Sequence, residues 1–121
     1  MTYAHQKLKN AVEALQDKRI GKRQWLEGNE VYHVLHLLPE ELPHDARADF
    51  EQLRLDPAFA GMRESATRQI DLARSMPHAE VERLARCIVE LYFHVDAAIY
   101  SRLHHPRRPP HALAVRPPAP M

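Results

Sequence analysis

The first apolar pattern along the chain has the three- and four-residue spacing of an amphipathic α-helix. It covers residues 3–17, and its apolar face consists of Ala4, Leu8, Ala11, Val12 and Leu15. Residues 18–22 break this spacing, and Gly21 can adopt the left-handed conformation that commonly ends a helix or shapes a turn. The pattern therefore predicts one helix followed by a turn.

The second pattern differs because apolar residues cover nearly the whole circumference of a predicted helix over residues 23–38. These positions are Trp25, Leu26, Val31, Tyr32, Val34, Leu35, Leu37 and Leu38. A helix that is apolar all round is normally buried on more than one side. We therefore expect a central helix that contacts the core on one face and either more core or a partner on the other. It ends before Pro39, since a proline disfavours the helical conformation of the preceding residue.

Two shorter helices are predicted in the middle of the chain, where the pattern is weaker. Residues 45–55 form one of them, between two proline-containing turns, and offer Phe50, Leu53 and Leu55 to the core. Residues 63–74 form the other, which is expected to bury Ala66, Ile70 and Ala73 or their neighbours. These segments add two short helices to the fold.

The longest pattern predicts a final helix over residues 77–103. Its apolar positions alternate at three and four residues and are Val81, Leu84, Ile88, Leu91, Val95 and Ala98. Ser75 is a good N-terminal cap, and Pro77 is tolerated in the first turn. At 1.5 Å per residue the helix is about 40 Å long, more than a compact bundle of this size spans. We therefore expect an all-α bundle of four to five helices over residues 1–103, with part of the last helix projecting or packed against another chain.

Residues 104–121 have a different composition. They contain six of the ten prolines together with Arg107, Arg108 and Arg116, which favours an extended, flexible tail and forbids a helix. None of the 16 acidic residues lies there, so the other 14 of the 17 basic residues leave residues 1–103 with a net charge of about −2. A slightly acidic domain argues against a protein built mainly to hold nucleic acid.

The single cysteine, Cys87, excludes an intramolecular disulfide and a cysteine-rich zinc site and fits a reducing cytoplasm. It lies at the edge of the apolar stripe of the last helix, where we expect a buried, inert thiol. No apolar run reaches the length of a signal peptide or a membrane span, which predicts a cytoplasmic protein. Neither a nucleophile-elbow serine nor a glycine-rich phosphate loop is present, so neither an enzymatic activity nor a cofactor is expected.

A second apolar strip on the last helix is the most suggestive surface feature. Val89, Phe93 and Tyr100 project about 100° around the helix from the main stripe. They predict a face that binds a second copy of the chain or a different protein, with Trp25 and Tyr32 of the central helix as further contributors. The alternative is that the central helix or a loop covers the strip within one chain.

Two other groups of residues suggest different ligands. Lys18, Arg19, Lys22 and Arg23 form a basic turn that, together with the arginines of the tail, could contact nucleic acid phosphates. The helix after this turn is mostly apolar, however, whereas a recognition helix presents polar and basic side chains to base edges. His33 and His36 have a spacing compatible with two metal ligands, but a site needs at least a third, and packed histidines satisfied by other groups explain them as well. We therefore keep nucleic acid and metal as alternatives.

Residues 32–43 read Tyr-His-Val-Leu-His-Leu-Leu-Pro-Glu-Glu-Leu-Pro and are followed at 46–51 by Ala-Arg-Ala-Asp-Phe-Glu. This combination of a Tyr-His segment and a Leu-Pro-Glu-x-Leu-Pro turn resembles small uncharacterised bacterial helical proteins, over residues 8–96. The resemblance implies a bacterial all-helical domain and no particular activity. It does not extend to the tail.

These features together favour a non-enzymatic bacterial regulator that works by binding another protein. The expected example is an antiactivator that sequesters a transcription factor by covering its dimerisation or docking surface with an apolar helix face. A homodimer formed through the last helix is expected as well.

Overall fold

The computed structural model describes residues 2–104, which contain no strand. The helices in this part of the chain are α1 (Tyr3–Leu15), α2 (Lys22–Leu26), α3 (Asn29–Leu35), a 3₁₀ helix (Pro39–Glu41), α4 (His44–Leu55), α5 (Pro57–Met62), α6 (Ala66–Ser75) and α7 (His78–His104). The all-α class is thus confirmed for residues 2–104, but the α-helices there outnumber the four to five that the sequence predicts. The predicted tail lies outside the described residues apart from His104, the last residue of α7.

The first helix matches its prediction closely because its N-cap and its apolar face both depend on residues that are near one another in the sequence. The Thr2 hydroxyl accepts a hydrogen bond from the backbone N–H of His5 at 3.1 Å, which caps the helix. On its apolar face, Ala4, Leu8 and Ala11 are fully buried, whereas Leu15 is half-buried. It packs against α3 and α7, so α1 covers one side of the long last helix.

The predicted central helix is in fact two helices, α2 and α3, and this prediction is wrong. Gly28 interrupts it with an extended backbone, φ −83° and ψ 170°, and serves as the N-cap of α3. The buried Gln69 of α6 donates from Nε2 to the carbonyl oxygens of Leu26 at 2.7 Å and Gly28 at 3.0 Å. These bonds satisfy carbonyl groups at the break, which lowers the cost of interrupting the helix. Gly21 is likewise extended, with φ −88°, and is the N-cap of α2 rather than a left-handed turn residue.

Two features of the middle of the chain differ from expectation. The sequence pattern does not predict the short helix α5. Only Phe59 and Met62 are buried in it, too few to show the periodicity of a helix. Asp56 nevertheless caps it, accepting from the N–H groups of Ala58 at 3.0 Å and Phe59 at 3.3 Å. In α6, Ala73 is buried as predicted, but Ala66 is exposed and Ile70 is only half-buried.

The last helix has 27 residues and matches its predicted extent to within one residue at each end. Ser75, however, ends α6 and bonds to the Leu72 carbonyl oxygen at 3.4 Å, so its assignment as the cap of the last helix is wrong. Five of the six predicted core positions, Val81, Leu84, Ile88, Leu91 and Val95, are buried, whereas Ala98 is only half-buried. Helices α1 and α4 both pack along α7, which makes α7 the axis of the fold. Within residues 2–104, no helix is both long enough and apolar enough to cross a membrane.

Candidate protein-binding face on the last helix

The candidate site is the exposed aromatic face of α7, which we define by Val89, Phe93 and Tyr100. Phe93 is 58% exposed and Tyr100 is 61% exposed, whereas Val89 is half-buried. The other two phenylalanines of the chain, Phe50 and Phe59, are 0% and 1% exposed. The aromatic face is therefore not covered by the central segment or by a loop within residues 2–104.

A series of side-chain contacts connects α1 to the aromatic face. His5 is buried, and its Nε2 lies 2.9 Å from Oδ1 of Asp96. The His5 ring stacks on Tyr92, with ring centroids 5.7 Å apart and planes 9° from parallel. Tyr92 in turn contacts Phe93 at a centroid distance of 5.3 Å. The tertiary packing of α1 thus fixes the neighbour on which Phe93 rests.

Tyr92 is held in an environment that disfavours its ionised form. Burial, and then the negative charges of Asp96 and Glu13, raise the pKa of the Tyr92 phenol. Tyr92 is therefore neutral across the physiological pH range and acts as a packing group beneath Phe93. Neither His5 nor Asp96 was singled out from the sequence. The only available signal was a histidine next to Ala4 and Leu8 at the edge of an apolar face.

Of the two central residues predicted to extend this face, Trp25 does not contribute. It is 2% exposed, and its Nε1 donates to the carbonyl oxygen of Ala11 at 2.7 Å. It is a core residue that ties α2 to α1, because burial of the indole requires a partner for its N–H group. Tyr32 is half-buried and lies against His36, with ring centroids 4.4 Å apart.

The histidine pair of the metal alternative is engaged locally. His36 donates from Nδ1 to the carbonyl oxygen of Tyr32 at 2.9 Å, and Nε2 of His33 lies 3.3 Å from the side-chain amide nitrogen of Asn29. Among residues 2–104, no group of three or more histidine, cysteine, aspartate or glutamate side chains could hold a metal ion. Within that part of the chain, His33 and His36 therefore have no third ligand of the kind that a site requires.

Three of the four side chains in the basic turn also have partners within the fold. Arg23 caps the end of α6, with Nη1 donating to the carbonyl oxygens of Ala73 at 2.8 Å and Met76 at 2.5 Å. Lys22 bonds to Glu82 at 2.7 Å, and Arg19 pairs with Asp17 at 3.0 Å. Lys18 is exposed. The turn is therefore used largely to fasten α2 to α6 and α7, which argues against a dedicated phosphate contact.

A cleft of about 260 Å³ lies between α4 and α7. Two pairs join the sides of this cleft: the His94 Nδ1–H bonds to the Asp49 carboxylate, and Arg83 bonds to Asp56 at 2.7 Å. Cys87 lines this cleft and is half-buried, whereas a buried thiol was predicted. Glu90 also lines the cleft, so its ionic groups are paired only in part.

Ion pairs with Arg83 lower the pKa values of two neighbouring carboxyl groups, those of Asp56 and Glu80. Burial by itself would raise the pKa of Asp56. Hydrogen bonds from Arg83 and from the first turn of α5 together outweigh burial, so the pKa lies below its usual value. Arg83 also lowers the pKa of Glu80, which it holds through two bonds of 2.6 and 2.8 Å. These groups remain charged at neutral pH and join α5 to α7.

No protein-family model, curated protein or solved structure matches the chain.

Proposed function

We propose that this protein works by binding another protein through the aromatic face of α7. One observation carries the proposal: Phe93 and Tyr100 are more than half exposed on a side of α7 that lies away from its buried core stripe. Large exposed side chains that align on one face are typical of an interface, whereas single exposed apolar residues need no explanation.

Burial of an exposed aromatic side chain by a partner would contribute free energy to binding, as at the hot spots of known interfaces. Complete burial of a phenylalanine side chain contributes about 1.5–3 kcal/mol. Binding also costs conformational entropy when side chains become ordered, and this cost is smaller for a side chain that already rests on a packed neighbour. Phe93 rests on Tyr92, which is stacked on the buried His5. A partner that covers this face would therefore meet a group that is already partly ordered.

The partner that we infer is a transcription regulator, and the activity is that of a non-enzymatic antiactivator. Occupation of the regulator's own dimerisation or docking surface by α7 would prevent its activity without any chemical step. The face is about as long as a helix-in-groove contact requires, since residues 89–100 span roughly 17 Å. A second copy of the chain could use the same face, and the experiment below separates the two occupants.

The test compares a double variant, Phe93→Ala with Tyr100→Ala, with the control Leu55→Ala. Leu55 lies on α4 and is 77% exposed, so its truncation also removes exposed apolar surface, but from another helix. Full-length protein is used for affinity capture from its native cell after nuclease treatment, with light scattering on the eluate. Circular dichroism confirms that each variant keeps its helices.

We expect the double variant to lose the partner, or to change from dimer to monomer, while the Leu55 variant behaves as wild type. A transcription regulator captured only with an intact face supports the antiactivator role, and a homodimer that depends on the face supports self-association. Association that persists unchanged in a folded double variant would refute the face as a binding surface. Binding that disappears on nuclease treatment and weakens steeply with salt would favour the nucleic acid alternative.

A further inference from the structure

A second pocket, of about 330 Å³, lies at the end of α4 and is formed without any residue of α7. Its lining consists of Glu51, Arg54, Leu55 and Arg63. Arg54 and Leu55 belong to the last turn of α4, and Arg63 is the residue that follows α5. Two guanidinium groups from different elements therefore share one opening.

The positive charge of this pair is not neutralised within the described residues. Elsewhere in residues 2–104, Arg19, Arg74 and Arg83 each contact a carboxylate within 3.1 Å. Arg54 and Arg63 form no such ion pair in that part of the chain, although Glu51 lines the same pocket. The pocket thus brings together two cations that no carboxylate in residues 2–104 pairs within ion-pair distance.

Each guanidinium retains unused hydrogen-bonding capacity. The Nε atom of Arg54 is buried and bonds to no other atom among the described residues. Arg63 uses Nε to donate to the carbonyl oxygen of Leu35 at 2.6 Å, which fixes the guanidinium and leaves its remaining N–H groups available. A buried donor without a partner costs free energy that a bound acceptor would recover.

The two cations also destabilise each other. Burial, and then the positive charge of Arg54, lower the pKa of Arg63. Mutual repulsion between like charges is offset when an anion lies between them. Arginine is suited to such an anion because its planar fork of donors matches the oxygens of a phosphate or a carboxylate.

From this geometry we propose that Arg54 and Arg63 form a binding site for a phosphate group. Two positive charges match the nearly double negative charge that a phosphate monoester carries at neutral pH better than they match a single carboxylate. The group could be the free phosphate ion or a phosphate ester on a larger molecule, since both present the same oxygens. The site is independent of the aromatic face, and neither proposal depends on the other.

The test is a titration of the full-length protein with three probes: inorganic phosphate, O-phosphoserine and acetate. Ionic strength is held constant with chloride so that general screening stays the same. Nuclear magnetic resonance follows the Nε–Hε signals of the arginine side chains. We expect phosphate to move the signals of Arg54 and Arg63 saturably, and acetate to move them much less.

Variants decide whether the effect belongs to this pocket. Arg54→Gln should weaken phosphate binding by about tenfold or more, because it removes one charge-assisted contact. Glu51→Gln should strengthen binding, since it removes a negative charge from the lining. Arg68→Gln, at an exposed arginine paired with Glu64 at 3.5 Å, is the matched control and should leave binding unchanged. Arg63 is left intact because its bond to Leu35 contributes to the fold.

Tighter binding of O-phosphoserine than of inorganic phosphate would identify a phosphate ester as the natural group, and the reverse would identify the free ion. Absence of saturable shifts would overturn the proposal. So would equal responses to acetate and phosphate, or equal affinities of the Arg54 and Arg68 variants, because each would show general attraction of anions rather than a site.

Discussion

Arg83 of α7 bonds through Nη1 to Oδ2 of Asp56 at 2.7 Å, and the same carboxylate caps the first turn of α5. One acid therefore serves a local role and a tertiary role. It ends the turn after α4 and starts α5, and it also attaches this corner to the long helix.

The two roles of Asp56 can be separated by substitution. Asp56→Asn keeps an oxygen acceptor for the N–H groups of Ala58 and Phe59 but loses the ion pair, whereas Asp56→Ala loses both. We expect the alanine variant to be less stable than the asparagine variant by about 1 kcal/mol, the usual contribution of a helix cap. Urea unfolding measures both free energies. Equal losses in the two variants would mean that the cap contributes nothing here.

The stability contribution of Asp56 should depend on pH. Its pKa is lower in the folded protein than in the unfolded chain, so the charged carboxylate stabilises the fold at any pH above the unfolded value of about 3.9. That contribution is lost as pH falls from the unfolded pKa through the lower folded pKa. We therefore expect the stability gap between wild type and Asp56→Asn to be constant near neutrality and to shrink below about pH 4. Urea midpoints from neutral to acidic pH test this, and a gap that widens on acidification would contradict it.

Gln69 should be more important to stability than its polar side chain suggests. Its amide bonds to the carbonyl oxygens of Leu26 and Gly28 at the break between α2 and α3. Gln69→Leu would leave the buried Leu26 carbonyl without its donor, at a cost of about 1–3 kcal/mol, whereas the Gly28 carbonyl would keep the bond from the Tyr32 N–H at 3.0 Å. Gln24→Leu, at an exposed position of α2, is the control and should change stability little. Similar unfolding free energies for the two variants would refute the role of Gln69.

Trp25 is the only tryptophan, so its fluorescence reports on one position. Since it is buried against α1, we expect blue-shifted emission and weak quenching by acrylamide in the folded protein, with strong quenching after unfolding. Trp25→Phe should destabilise the fold by roughly 0.5–1.5 kcal/mol through loss of the bond to Ala11, as followed by circular dichroism. Strong quenching in the native state would instead place Trp25 on a surface.

The helices with long, regular patterns could be predicted from sequence, because their periodicity and caps are local properties. The apolar stripe of α7 and its extra aromatic strip follow from spacing alone. The break at Gly28 could not be predicted, since the amide that compensates for it belongs to Gln69, 41 residues away. Ser75 was assigned to the start of the last helix for a similar reason. The sequence around Ser75 does not show that α6 extends as far as this residue.

The candidate site was predictable only in part. Phe93 and Tyr100 were identified from spacing, and the structure leaves both exposed. Trp25 was assigned to the same surface because a helix pattern cannot reveal which of two apolar faces receives another helix. The supporting contact between His5 and Asp96 joins residues 91 positions apart, so no local pattern indicates it.

The sequence by itself determined the helical class, the long last helix and the presence of more apolar surface on that helix than one core needs. Only the tertiary structure decided which apolar side chains are covered, which charges are paired and which arginines, Arg54 and Arg63, are left facing one pocket. The physical reason is that helical periodicity arises from neighbours three and four residues apart. Burial and ion pairing, by contrast, depend on which distant elements pack together.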